Sequence, residues 1–176
     1  KADYWKPVQS GTEEIDRETV QTLVTNATTT FFPERYLLKT PVSPHAAAQI
    51  DGIDINLDDF VLPETKNHLV IEGAGGVLVP VNYNGVFVID FAKKFNAEVV
   101  LVSNLYLGSI NHTLLTVNEL RSRKIPVKGI IFNGESNPAS EEIILKLTGL
   151  PCLLRIDQEE EFTKELVAKY ASALKI

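Results

Sequence analysis

The chain has 176 residues, 44% of them apolar and 23% charged, and its 17 Lys and Arg against 23 Asp and Glu give a net charge of −6. That size and apolar content exclude a disordered chain and lead us to expect one globular domain over residues 1–176, while a single cysteine, Cys152, excludes a disulfide framework and a cysteine-cluster metal site. No basic stripe marks a nucleic-acid partner, no apolar run reaches the ~18 residues of a membrane span, and Lys1-Ala2-Asp3-Tyr4-Trp5-Lys6 is no secretory leader, so the expectation is a cytoplasmic protein without nucleic-acid or membrane partners.

In chain order, residues 2–8 read as a short strand entering a loop at Pro7, and residues 9–12 as that loop. Residues 16–25 read as a helix with Val20, Leu23 and Val24 on one face, and residues 28–33 as a polar and aromatic connection. Ser43 is placed to cap a helix with Pro44 in its first turn, ended by Asp51-Gly52. Residues 57–60 look like a further helical start. Three apolar runs follow, at 68–71, 98–103 and 127–132. None alternates with polar residues, as expected of parallel strands buried on both faces. Helices are expected at 90–95, at 111–123 with Leu114, Leu115, Val117 and Leu120 as its apolar stripe, at 141–147 and at 162–174. A last strand is expected at 150–156. Strands alternating with helices predict an α/β doubly wound, mainly parallel sheet flanked by helices. Ligands of such sheets bind at the carboxyl ends of the strands.

The strand-end loops therefore carry the chemistry. In Val70-Ile71-Glu72-Gly73-Ala74-Gly75-Gly76 a carboxylate is followed by glycines whose backbone N–H groups can approach an anion, and Glu72 is a candidate oxygen ligand for Mg2+. A tight turn with an exposed Glu would look the same. In Lys6-Pro7-Val8-Gln9-Ser10-Gly11 the lysine ends a strand, is expected to face a solvent crevice, and could neutralise phosphate or carbamate oxygens. A merely solvated Lys is the alternative. Asp16 opens a helix, where it serves equally as a cap or dipole partner. Leu107-Gly108-Ser109-Ile110-Asn111-His112 precedes a helix whose N–H groups suit a carboxylate or phosphate; a capped helix start without a ligand reads alike. Asn133-Gly134 could meet an adenine edge or form a turn. His112 has no acidic or cysteine companion at ligand spacing and reads as structural. Ser10, His45 and His112 lack the G-x-S-x-G elbow of a hydrolase. Cys152 reads as core.

Together these loops, with Ser43-Pro44-His45, resemble the dethiobiotin synthetase family of the P-loop NTPase class, in order and spacing over essentially the whole chain. The resemblance implies an ATP- and Mg2+-dependent cyclo-ligase that converts 7,8-diaminopelargonic acid and CO2 or bicarbonate to dethiobiotin as a homodimer. It implies a catalytic Lys6 at the carbamate and γ-phosphate, and Ser10 on the diamine. Asp16 and Glu72 become the Mg2+ carboxylates and, with Gly73, Ala74 and Gly75, line the nucleotide. Gly108, Ser109, Ile110 and Asn111 would hold the substrate carboxylate. Asn133 and Gly134 would meet adenine, with Asp157, Gln158 and Glu159 closing that pocket. The family opens with a strand and a G-x-x-x-x-G-K-[ST] phosphate loop, which these 176 residues do not contain. With no methionine at position 1 or elsewhere, the expectation is that this strand, loop and helix, about 30 residues, precede Lys1. Two rivals remain: a related P-loop amidotransferase or ParA-like ATPase, and a non-catalytic dimerisation module.

Overall fold

A computed structural model describes residues 1–175. The chain forms two compact units, Lys1–Phe95 and a second that starts at Asn96. In both, every pairing between named strands is parallel and helices connect the strands. The α/β class expected from the alternation of strands and helices is the one observed.

In the first unit, β1 (Ala2–Trp5) lies between β3 (Phe31–Phe32) and β5 (His68–Ile71), while β2 (Val8–Ser10) pairs with β4 (Tyr36–Leu38). The strand expected over 2–8 is thus two strands with different partners. Pro7 is the reason: it has no N–H for a ladder, and its carbonyl turns to accept the N–H groups of Arg35 at 2.9 Å and Tyr36 at 3.1 Å. Residues 8–10, expected in part as loop, and the strands β3 and β4 escape the pattern because runs of two or three residues show no period.

Helix α1 (Asp16–Leu23) precedes β3, and α2 (Pro44–Asp51) follows β4. Ser43 sits before Pro44 as expected, but its side chain makes no capping bond. The N–H groups it would cap are taken: His45 donates to Pro80 at 3.3 Å and Ala46 to the Ser43 carbonyl at 3.0 Å. Residues Leu57–Asp59 form a single 3-10 turn, capped by the Asn56 side chain. A short α3 (Ile89–Lys94) closes the unit. Its core is Trp5, Val8, Leu38, Ala47, Ile55, Phe60, Val81 and Phe91, with the Phe60 and Phe91 rings 4.5 Å apart. Burial on both faces fails for β5: His68 and Val70 are exposed while Leu69 and Ile71 pack inward against the core.

In the second unit, β7 (Val127–Asn133) lies between β6 (Val99–Asn104) and β8 (Cys152–Ile156), linked by α4 (Ser109–Ser122) and α5 (Pro138–Thr148), with α6 (Lys164–Ala173) last. The stripe that α4 buries is Ser109, Thr113, Val117 and Leu120, so Leu115, expected inside, is exposed. The helix tolerates Thr113 on that stripe because its hydroxyl pairs with that of the equally buried Ser103 on β6 at 2.7 Å, which satisfies both groups. Cys152 is half-buried on β8 and free.

Gly129 on β7 is a point of close approach. A Cβ there would lie 2.7 Å from the Pro151 carbonyl oxygen and 2.7 Å from Leu153 Cγ. That carbonyl is pinned, because it accepts the Ile130 N–H at 2.9 Å. Gly129→Ala is therefore expected to cost about 1–3 kcal/mol by overpacking. A denaturant midpoint equal to the wild type would show that β8 shifts freely.

Candidate active site

The register of β1 and β5 sets the site. Trp5 is opposite Ile71 in a parallel ladder, so Lys6 and Glu72 leave the sheet side by side, with the Glu72 N–H bonded to the Trp5 carbonyl at 3.0 Å. The Lys6 ammonium donates to Glu72 Oε1 at 3.0 Å and also to Asp16 Oδ2, on the first residue of α1. Tyr4, two residues earlier on β1 and on the same face, donates its hydroxyl to the other Glu72 oxygen at 2.6 Å. Sequence reasoning missed Tyr4. The i, i+2 spacing to Lys6 on a strand was the available signal.

Lys6 is only 8% exposed. It nevertheless lines a cavity together with Asp16, and the two carboxylates neutralise the ammonium and make its near-burial tolerable. Burial alone would lower the Lys6 pKa. Hydrogen bonds and attraction from Asp16 and Glu72 outweigh it and hold the ammonium above its ordinary value. Burial, then the bond to Glu72, also raises the Tyr4 hydroxyl. Both groups keep their protons in the fold at a pH where the unfolded chain, with ordinary values of 10.0 for Tyr and 10.5 for Lys, has begun to lose them. Their contribution is complete below about pH 10 and is lost as pH rises further. The melting temperature is therefore expected to fall above about pH 10, less steeply in Tyr4→Phe. Equal slopes in the two proteins would exclude Tyr4 as a source.

Lys6, Gln9, Ser10, Asp16, Ala74 and Gly75 line a cavity of about 280 Å3. Gly75 has φ +84° and would place a Cβ 3.1 Å from Val79, so a side chain there would be strained. Gly73 and Gly75 are exposed and Ala74 is half-buried, leaving this loop's backbone open to solvent. Ser10 ends β2, and its hydroxyl is buried without a partner among the described residues. Lys6, Ser10, Asp16, Glu72, Ala74 and Gly75 thus come together around one cavity edge.

The remaining candidates belong to the second unit. Gly108, with φ +111°, precedes Ser109 at the start of α4. Ser109 is buried and Asn111 exposed. Ile110 packs against the core of Ile130, Phe132 and Ile144 and stays partly exposed. Asn133 ends β7 opposite Asn104 on β6, and its amide lies 3.4 Å from the Asn104 side-chain oxygen. Gly134 donates its N–H to Ile156 at 3.1 Å and accepts from Arg155 at 2.8 Å. After β8, Asp157 and Glu159 are both bonded to the Tyr170 hydroxyl, while Gln158 is exposed. Arg155, which sequence reasoning missed, joins these pieces: it also reaches Glu141 at 3.1 Å and Asp157 at 3.8 Å.

Comparison with known proteins gives one reading. A family model described as an AAA domain matches residues 1–166. The chain is 57% identical over 175 residues to the ATP-dependent dethiobiotin synthetase BioD of Cytophaga hutchinsonii, covering 99% of the chain and 84% of that protein. It is 48% identical to the protein of the same name from Christiangramia forsetii, over 97% of the chain and 82% of that protein. With Rhodopseudomonas palustris strain HaA2 the figures are 44% identity, 93% and 77%. Matches this close over nearly the whole chain settle the kinship that the strand-end loops suggested: the chain belongs to the dethiobiotin synthetase family.

Proposed function

We propose that the chain is an ATP-dependent cyclo-ligase of biotin synthesis that closes a cyclic urea from 7,8-diaminopelargonic acid and CO2. One amine takes up CO2 and becomes a carbamate, releasing a proton. A carbamate oxygen bonds to the γ-phosphorus while the bond to the β–γ bridging oxygen breaks, which releases ADP. The second amine then attacks the carbonyl carbon of the mixed anhydride, loses a proton, and expels phosphate. Two of these steps gather negative charge at one place, so catalysis asks mainly for positioning and neutralisation.

One observation carries the reading: a nearly buried Lys6 ammonium between two carboxylates at a cavity edge. Lys6 supplies fixed positive charge to the carbamate and the migrating phosphoryl group. Tyr4 keeps Glu72 oriented. Ser10 meets the diamine. Gly73, Ala74 and Gly75 present backbone N–H groups to the nucleotide phosphates. Gly108, Ser109, the Ile110 backbone and Asn111 take the substrate carboxylate, and Asn133, Gly134, Asp157, Gln158 and Glu159 take adenine.

The donor set also fits Mg2+. Asp16 and Glu72 converge on a single ammonium, and their side chains are about two-fifths exposed. No group of three His, Cys, Asp or Glu forms a metal cage among the described residues. Mg2+ needs no such cage, because it takes one or two carboxylates and completes its shell with phosphate oxygens and water. Bound there, it would neutralise charge on the phosphate oxygens. Glu72→Gln, which keeps an oxygen for Tyr4, is expected to raise the Mg2+ needed for half-maximal rate about tenfold. An unchanged Mg2+ titration would remove Glu72 from the metal site.

We place the enzyme in the cytoplasm as a homodimer. Among the described residues, no helix is long and apolar enough to cross a membrane. The deciding experiment supplies full-length protein with diamine, bicarbonate and MgATP. Phosphate release that requires diamine supports the proposal. Release indifferent to diamine favours a partition-type ATPase, and absence of nucleotide binding favours a dimerisation module.

A further inference from the structure

Gln9 on β2 is 5% exposed, and its amide has one orientation. Nε2 donates to the Ser10 carbonyl at 3.1 Å and the Glu14 carbonyl at 3.3 Å, and lies 3.5 Å from the Gly11 carbonyl. Carbonyl oxygens only accept, so three of them converging on one end of the amide require the NH2 there. The amide oxygen is thereby turned away from the 10–14 loop. It is buried and lacks a partner among the described residues, as does the neighbouring Ser10 hydroxyl. Both residues line the cavity that holds Lys6 and Asp16. Native folds rarely leave a buried carbonyl without a donor. The Lys6 ammonium already serves Asp16 and Glu72, and no other N–H of the described residues bonds to this oxygen.

We infer that Gln9 is a substrate-binding residue: its Oε1 accepts an N–H from the substrate amine that lies beside Ser10 and Lys6. This inference rests on the function proposed above. The amine, neutral or protonated, carries the donor that the site lacks. The acceptor costs no reorganisation, because three backbone carbonyls aim the amide before substrate arrives. Ser10, able to donate or accept, completes the pair. Oε1 accordingly favours an amine bearing N–H over a fully alkylated nitrogen.

The test uses full-length protein with two readouts. In wild type, the side-chain carbonyl carbon of 13C-labelled Gln9, assigned through its backbone, is followed by NMR. It is expected to shift on adding 7,8-diaminopelargonic acid and to stay in place with the N-alkylated diamine that has no N–H. In Gln9→Met, which keeps length and packing, diamine affinity is expected to fall at least tenfold, with MgATP affinity within about twofold of wild type. Equal losses for diamine and MgATP would make Gln9 only a loop tie and overturn the inference, as would a Gln9 signal indifferent to bound diamine. The wild-type signal decides the matter if the variant does not fold. Wild type that binds no diamine at all would overturn the proposed function itself, an outcome distinct from wild type that binds it with Gln9 unmoved.

Discussion

Lys6→Met is expected to lower diamine-dependent phosphate release about a hundred- to a thousandfold and to destabilise the protein as well. The catalytic loss follows from the role of a fixed charge in a site where charge gathers, since removing one such donor costs about two to three powers of ten. The stability loss follows from geometry. Lys6 is nearly buried between Asp16 and Glu72, so its removal leaves two carboxylates facing each other without a counter-charge. A fully buried pair broken in this way costs about 3–5 kcal/mol. Here both acids are about two-fifths exposed, and water screens part of the penalty, leaving about 1–3 kcal/mol. The two effects separate in the double variant Lys6→Met with Glu72→Gln. Removing one of the opposed charges is expected to restore most of the melting temperature and none of the turnover. If Lys6→Met turned over within threefold of wild type, Lys6 would be a structural cation only.

The contrast between Lys6 and its neighbours shows how far the residues spoke for themselves. Strands β5, β6 and β7 were legible as apolar runs and β8 as the strand expected at 150–156, because each is long enough to show a pattern. Strands β2, β3 and β4 were not, because two or three residues carry no period and Pro7 decides the partner exchange through a hydrogen bond invisible in the chain order. The candidate site divides similarly. Lys6 and Glu72 were legible from the rule that strand ends carry the chemistry. That Lys6 is clamped was not, because it depends on where α1 lays Asp16 in space. Ile110 shows a second layer: its place in a motif suggested a ligand role, and the structure adds that its apolar side chain packs against the core. Tyr4 and Gln9 were passed over because a strand tyrosine and a loop glutamine are unremarkable until their polar ends are seen to converge on the cavity residues.

Phe132→Ala is expected to give the largest stability loss of any single change discussed, about 3–5 kcal/mol. Phe132 lies on the central strand β7 and is fully buried. It shares its core with Ile130 and Ile144, with Leu101, Leu105 and Ile110 packed around them, so the cavity left behind is walled by residues from β6, α4 and α5 and cannot collapse without moving all three. Phe132→Leu keeps most of the volume and is expected to cost less than about 1.5 kcal/mol. The same void withdraws support from Ile110 in the first turn of α4 and sits one residue before Asn133. Under the proposed function, nucleotide and diamine affinity are therefore expected to weaken in Phe132→Ala at temperatures where the protein is still folded, through a shift of these loops. Hydrogen exchange offers the check: amides of β6, β7 and β8 should lose protection together in Phe132→Ala and retain it in Phe132→Leu. Protection unchanged in both variants would mean that this small core does not hold the sheet, and the loops at its carboxyl end would need another source of rigidity.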